Sequence, residues 1–239
     1  MQVDNAFRQK NKKSIQQLLI ESVGIKWKEQ QYDISLEQED LTFAEQFIIN
    51  NNLQNKTIIG LNIGCRKKHA LKRWPIDYFI ALAKQLSKRA DTVPLIVGGT
   101  EEVAIYEYAM RQLHGQKIIG AGCDTTVGEY FALINKCDVF VSATTFGLLA
   151  AIGMGKKTIA ICSPKPMTEI YNYSHGIKVS EGKEYNPRYS TKISLKDFEE
   201  ERKIGLKNIS VEFVYQAVED ALHDDFSNNE RYVNNHGVL

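Results

Sequence analysis

Three stretches of this chain concentrate residues suited to holding an anion. The first, CRKKHALKRWP, places Arg66, Lys67, Lys68, Lys72 and Arg73 around His69, just after a β-rich run that ends in Gly64. Cations clustered ahead of a helix N-terminus, whose open N–H groups and dipole also favour negative charge, suit a phosphate or diphosphate. The second, VGGTEE, follows an apolar run with Gly98 and Gly99, where backbone can approach a ligand closely, and then Glu101 and Glu102. The third, VSATTFGLLAAIGMGKKTIAI, has the texture of strand, turn, short helix and strand, with no acid, histidine or lysine between Ser142 and Met154. Thr144 and Thr145 sit at its turn, where backbone N–H groups can bind phosphate without any charged side chain. Each stretch has a plainer reading beside it. A charge run fits a solvated face. A Gly-Gly pair fits a tight turn, and Phe146, Leu148 and Leu149 fit a packed βαβ corner.

Other chemistries find little support. No GxGxxG follows the first apolar run, and neither GxxxxGK[ST] nor GxSxG occurs. The cysteines, Cys65, Cys123, Cys137 and Cys162, form no CxxC pair, so a metal or disulfide framework is not expected and a reducing compartment fits. His114, His175, His223 and His236 have no neighbours at metal-ligand spacing and are expected at the surface. A formal net charge of +1 gives no global case for nucleic acid. No apolar run approaches the roughly 18 residues of a membrane span. The polar start, MQVDNAFRQKNKK, lacks the apolar stretch of a signal peptide. A cytoplasmic location is expected, with peripheral placement at an inner membrane left open.

The elements that must position these stretches are legible as a pattern. Residues 1–54 read as a helical arm. Ile15, Leu18, Leu19 and Ser22 share one helix face with Gly24 as the stop, and Ser35 with Gln38 resembles a capping box before a second helix ending at Asn50. From Thr57, five apolar runs alternate with four helical ones: TIIGLNIG, VPLIVGG, QKIIGAG, CDVFVSA and KKTIAIC are the strands. Pro75, Thr100 and Thr125 or Thr126 open three of the helices. Strands that are nearly continuous apolar runs predict an α/β fold, a doubly wound, Rossmann-like parallel sheet covered on both faces. Residues 55–224 are read as this domain. After Pro164 the pattern loosens into a loop with Pro166 and Pro187, a last helix begins near Ser210, and 225–239 reads as a polar, fraying tail. Trp74 is expected to pack rather than to touch a ligand.

At this point the residues resemble a family. LNIGCRKKHALKRWPIDYFIALAKQL looks like the opening of the donor-binding half of the heptosyltransferases of glycosyltransferase family 9. PLIVGGTEE is similar to that half's second strand and acidic turn, and DVFVSATTFGLLAAIGMGKKTIAICSP to its strand, D-[ST]-G-x-x-H, helix and strand segment. The resemblance implies one half of a GT-B glycosyltransferase, whose C-terminal half binds a nucleotide sugar, typically ADP-heptose. The other half binds an acceptor such as a lipopolysaccharide core, and transfer inverts the anomeric centre without metal or further cofactor. Lys72 would then contact donor phosphate, with Arg73, Gly64, Thr144 and Thr145 in the same set. Glu101 or Glu102, with Gly98 and Gly99, would meet the ribose or base.

The departures are specific. The motif's acid falls on Thr144, its glycine on Phe146 (Gly147 follows) and its histidine on Leu149. Residues 1–54 resemble an interdomain bridge, and the general base of the family lies in a half that this chain does not show, so the catalytic residues stay unassigned. Three readings follow: a transferase that needs a separate acceptor-domain protein or a homodimer partner, a non-catalytic relative that binds or regulates, and a fragment of a longer enzyme.

Overall fold

The computed structural model describes residues 11–65, 70, 72–162, 167–182 and 206–233. Arg66, Lys67, Lys68, His69, Pro164, Pro166, Pro187 and His236 lie outside the described residues. The described chain forms one seven-stranded sheet with every neighbouring pair parallel. Its strands are β1 (Thr57–Asn62), β2 (Thr92–Val97), β3 (Ile119–Gly120), β4 (Val139–Ala143), β5 (Lys157–Cys162), β6 (Gly176–Ser180) and β7 (Glu230–Tyr232). The order is β3-β2-β1-β4-β5-β6-β7. This is a doubly wound, Rossmann-like arrangement, with the chain reversing its direction of travel between β1 and β4.

The helices are α1 (Ile15–Ser22), α2 (Gln38–Asn50), α3 (Ile76–Leu86), α4 (Val103–Gln112), α5 (Val127–Asn135), α6 (Phe146–Gly153) and α7 (Val211–Leu222). Alternate residues of the central strands serve the two faces. Ile59, Leu61, Val139, Val141 and Ile159 pack with α3, α4 and α7. Ile58, Val93, Leu95 and Phe140 pack with α2, α5 and α6. Gly60 stands opposite Phe140 in the β1–β4 ladder. A Cβ there would lie 2.5 Å from the Phe140 ring and 2.7 Å from Cys137 Sγ, so the ring fills the space that a side chain would need.

Trp74 is fully buried, makes edge contacts with Tyr78 and Phe79, and donates its indole N–H to the Ile209 carbonyl at 2.8 Å. Leu206 N–H donates to the Arg73 carbonyl at 3.1 Å. The start of α3 is thereby tied to the segment leading into α7. All four cysteines are buried, and none forms a disulfide among the described residues.

Several expectations change. The sheet has seven strands rather than five. β6, GIKVS, is too short and too near tyrosine-rich sequence to stand out, yet all five residues are buried. The supposed fraying tail contributes β7, which pairs with β6 and whose Arg231 bonds Asp220 of α7. A three-residue strand with one exposed residue carries no readable hydrophobic alternation. Glu37, not Ser35, precedes α2, and it makes no side-chain cap. Thr100 lies inside a short 3-10 turn (Thr100–Glu102) that leads into α4, so it does not cap that helix. His175 is half-buried, stacked on Tyr173, and burial lowers its pKa. Thr126 does cap α5: its hydroxyl accepts from Glu129 N–H, and the Glu129 carboxylate accepts from Thr126 N–H. Ser210 caps α7 in the same way, through Phe213 N–H.

The arm lies on the α5 and α6 side of the sheet. Gln16 exchanges hydrogen bonds with the backbone of Tyr171, Tyr32 donates to the Leu149 carbonyl, and Ala44 of α2 packs on Ala132 and Leu133. If Trp74 is the tie described, Trp74→Ala will cost about 3–5 kcal/mol from the cavity it leaves. Trp74→Phe will cost about 1–3 kcal/mol, largely for the unpaired Ile209 carbonyl. Urea unfolding should show both as lower midpoints at unchanged slope.

Candidate functional site

The carboxyl ends of β1, β2, β3 and β4 open onto one cavity of about 750 Å³, a size that suits a small-molecule ligand. Its floor is a hydrogen-bonded network. Asn62, the last residue of β1, donates its side-chain amide to Ser142 Oγ at 2.8 Å and Thr145 Oγ1 at 3.0 Å. Its amide oxygen accepts from Gly64 N–H at 3.2 Å. One side chain thus spans from the loop after β1 to the loop after β4.

Glu102 does the same between β1 and β2. Its carboxylate accepts from Cys65 N–H at 3.3 Å and Gly99 N–H at 3.1 Å. Arg73 stands 3.5 Å from it and also donates to the Cys65 carbonyl. Arg73 is 3% exposed and Glu102 6%. Burial pushes the Glu102 pKa above its ordinary value, outweighing Arg73 and the two N–H donors, which pull it down.

Two helix ends face the cavity from the α5 and α6 side. Thr126 and Val127 begin α5, and Thr145 precedes α6, whose first residues Phe146 and Gly147 line the wall. The Thr145 hydroxyl is engaged by Asn62 and Ser142 and makes no cap, leaving the first-turn N–H groups of α6 to a ligand. A side chain at Gly147 would have to displace the Tyr130 hydroxyl. A Cβ on it would lie 2.2 Å from Tyr130 Oη and 3.3 Å from the Asn62 amide nitrogen.

Of the residues singled out in the sequence, Gly64, Lys72, Gly98, Gly99, Glu101, Glu102, Thr144 and Thr145 all line this cavity. Arg73 does not. It is turned inward, and its charge is used to hold Glu102. Sequence reasoning missed Asn62 as the hub, together with Cys123, Thr125, Thr126, Val127 and Tyr130 on the wall. The N-x-G turn was a signal for Asn62. The α5 residues gave none, because a helix start after a two-residue strand places them by tertiary packing alone. Among the described residues no group of three or more His, Cys, Asp or Glu could hold a metal, and no helix is long and apolar enough to cross a membrane.

Cys65 and Cys123 are wall residues whose thiols burial drives upward, Cys123 to about 11. Both are protonated at neutral pH and poor nucleophiles. At pH 8, iodoacetamide should label native Cys123 at least about tenfold more slowly than the unfolded chain, by peptide mass analysis. Glu102→Ala will remove the carboxylate that faces buried Arg73 and cost about 3–5 kcal/mol. The pH dependence has a definite sign. Folded Glu102 keeps its proton to higher pH than unfolded Glu102, so its contribution to stability falls as pH rises from the ordinary carboxylate value through the raised one. The stability of the native chain relative to Glu102→Gln should therefore decline across that window and level off above it, in urea unfolding at stepped pH.

Comparison with known proteins places the chain. A model of glycosyltransferase family 9 (heptosyltransferase) matches residues 2–197. No curated protein matches the sequence. Among solved structures, a glycosyl transferase family 9 protein from Veillonella parvula is 24% identical, with a TM-score of 0.64, over 80% of this chain and 54% of that one. The ADP-heptose lps heptosyltransferase II of E. coli is 15% identical, with a TM-score of 0.57, over 81% and 54%. E. coli heptosyltransferase WaaC with ADP-2-deoxy-2-fluoro heptose is 14% identical, with a TM-score of 0.52, over 85% and 53%. The chain therefore spans about half the length of these three solved structures.

Proposed function

Because this chain belongs to glycosyltransferase family 9, we propose that its cavity binds a nucleoside-diphosphate sugar, as the donor half of a glycosyl transfer to a lipopolysaccharide-type acceptor. One observation carries the reading: Lys72, Glu101, the Gly98–Gly99 turn and the N-terminus of α6 converge on one cavity where the strand order reverses. Ligands of open α/β sheets bind at that place. Lys72 and the N–H groups of Phe146 and Gly147 supply positive potential for the diphosphate. As the glycosyl bond breaks, negative charge grows on the leaving diphosphate, and fixed donors there stabilise it more than they stabilise the ground state. In this reading Glu101, in the short turn after β2 and on the cavity wall, accepts from ribose hydroxyls. Glu102 is the buried member of the pair and braces the two loops through Cys65, Gly99 and Arg73.

An ADP-linked sugar is the favoured donor, since one structural relative is named for ADP-heptose and another was solved with an ADP-heptose analogue. The acceptor and the proton-accepting base belong to a second body in this reading, either a further domain, a separate protein or a second copy. Inverting, metal-independent transfer is the mechanism proposed for the complete assembly, with residues 1–54 as the bridge to it.

A second reading has its own observation. The acid and histidine positions of the family motif are Thr144 and Leu149, and Leu149 is spent on packing beside Ile15 and Tyr32 of the arm. A nucleotide-binding protein without transferase activity would keep the cavity and lose those two groups.

Calorimetric titration with ADP, UDP and GDP tests the donor site. One nucleotide should bind saturably, and Lys72→Ala should weaken it by roughly tenfold or more, the worth of a charge-assisted contact. A folded chain that binds none of them would refute the donor reading.

A further inference from the structure

The cavity has two unlike walls. Lys72 and the turn that carries Glu101 stand on the α3 and α4 side. On the α5 and α6 side, Val127 and Phe146 line the wall while 62% and 64% exposed. A singly exposed apolar side chain needs no explanation, but two of the four most exposed large apolar side chains among the described residues fall on one cavity wall. Phe146 is also braced. Its ring stands 5.1 Å from that of Phe131, tilted by 46°, and Phe131 is one helical turn beyond Val127 on α5. Phe131 in turn packs against Tyr130. The ring is thus held on the cavity wall from a fixed base, with most of its surface exposed.

Its position relative to the phosphate site limits what it can meet. Phe146 is the first residue of α6, so its own N–H is one of the donors that face an anion. Any group carried by the phosphate held there lies beside the ring. In the donor-site reading the nucleoside end takes the other side of the cavity, which Gly98, Gly99, Glu101 and Cys123 line at the ends of β2 and β3.

We infer that Phe146, backed by Phe131 and flanked by Val127, is a packing platform for the glycosyl ring of the donor. It selects donors whose sugar turns an apolar C–H face toward it. This rests on the donor-site reading above and adds a specificity-determining residue to it. An aromatic face is apolar and electron-rich, so it pairs with the C–H side of a saturated ring while the hydroxyls stay in water.

The test separates this inference from the reading on which it rests. Wild type, Phe146→Ala and Phe146→Tyr are titrated calorimetrically with two pairs of probes, ADP with ADP-glucose and UDP with UDP-glucose. An exposed position makes both variants safe for folding. Phe146→Ala should weaken the sugar nucleotide roughly three- to tenfold while changing the matching diphosphate less than twofold, and Phe146→Tyr should restore binding. Equal losses for both members of a pair, no loss, or tighter sugar-nucleotide binding in Phe146→Ala would overturn the platform. So would a wild type that binds a diphosphate but rejects its sugar conjugate, for then the ring blocks the place assigned to the sugar. In each of those cases the donor site survives. Failure of every probe to bind wild type removes the donor site and the platform together.

Discussion

The cavity depends on one buried carboxylate. Glu102 accepts from the backbone of Cys65 and Gly99 and is paired with Arg73, so it holds the loop after β1 against the turn after β2. A buried acid without partners would be neutralised or expelled, and a half-satisfied network is worse than an apolar contact. Here two backbone donors and a guanidinium share the charge, and the guanidinium also reaches the Cys65 carbonyl. Asn62 carries the same bracing across to Ser142 and Thr145. Three adjacent strand ends become one floor, and the groups left on its rim are those with chemistry to offer.

The sheet order then decides what the rim looks like. The helices that link β1, β2 and β3 lie on one face of the sheet, and those that link β3 to β4 and β4 to β5 lie on the other. The crevice opens where those two sets part. Its walls therefore come from different helices and differ in kind. One carries Lys72 and the acidic turn, the other the helix ends and the exposed rings of the α5 and α6 side. A ligand that is anionic in its middle and amphipathic at its end suits such a crevice better than a small ion would.

The altered family motif is intelligible on the same terms. Thr144 remains on the cavity wall, where the family has an acid. Leu149, where the family has a histidine, packs in a cluster with Ile15 and Tyr32, and its carbonyl accepts from the Tyr32 hydroxyl. The helical arm is fastened to α6 at that point. Side-chain chemistry on this helix has been exchanged for a packing surface, while the backbone N–H groups at its start are untouched by the exchange.

Much of this was legible in the sequence, because it is written in short-range terms. Five of the seven strands are near-continuous apolar runs, Thr126 and Ser210 are local caps, and the loops rich in Gly, Lys and Glu follow strand ends as a doubly wound sheet requires. Those features fixed the fold class and brought eight named residues to one cavity. What the tertiary structure alone decided is which of them face inward. Lys72 and Arg73 are adjacent and chemically alike, as are Glu101 and Glu102, yet Arg73 and Glu102 are buried against each other while Lys72 and Glu101 keep more of their surface on the cavity side. β6 and β7 likewise exist because β5 offers an edge to extend, not because their residues announce a strand. Periodicity and composition report a residue's own preference, whereas burial of a charge is settled by whether a partner from another strand is there to meet it.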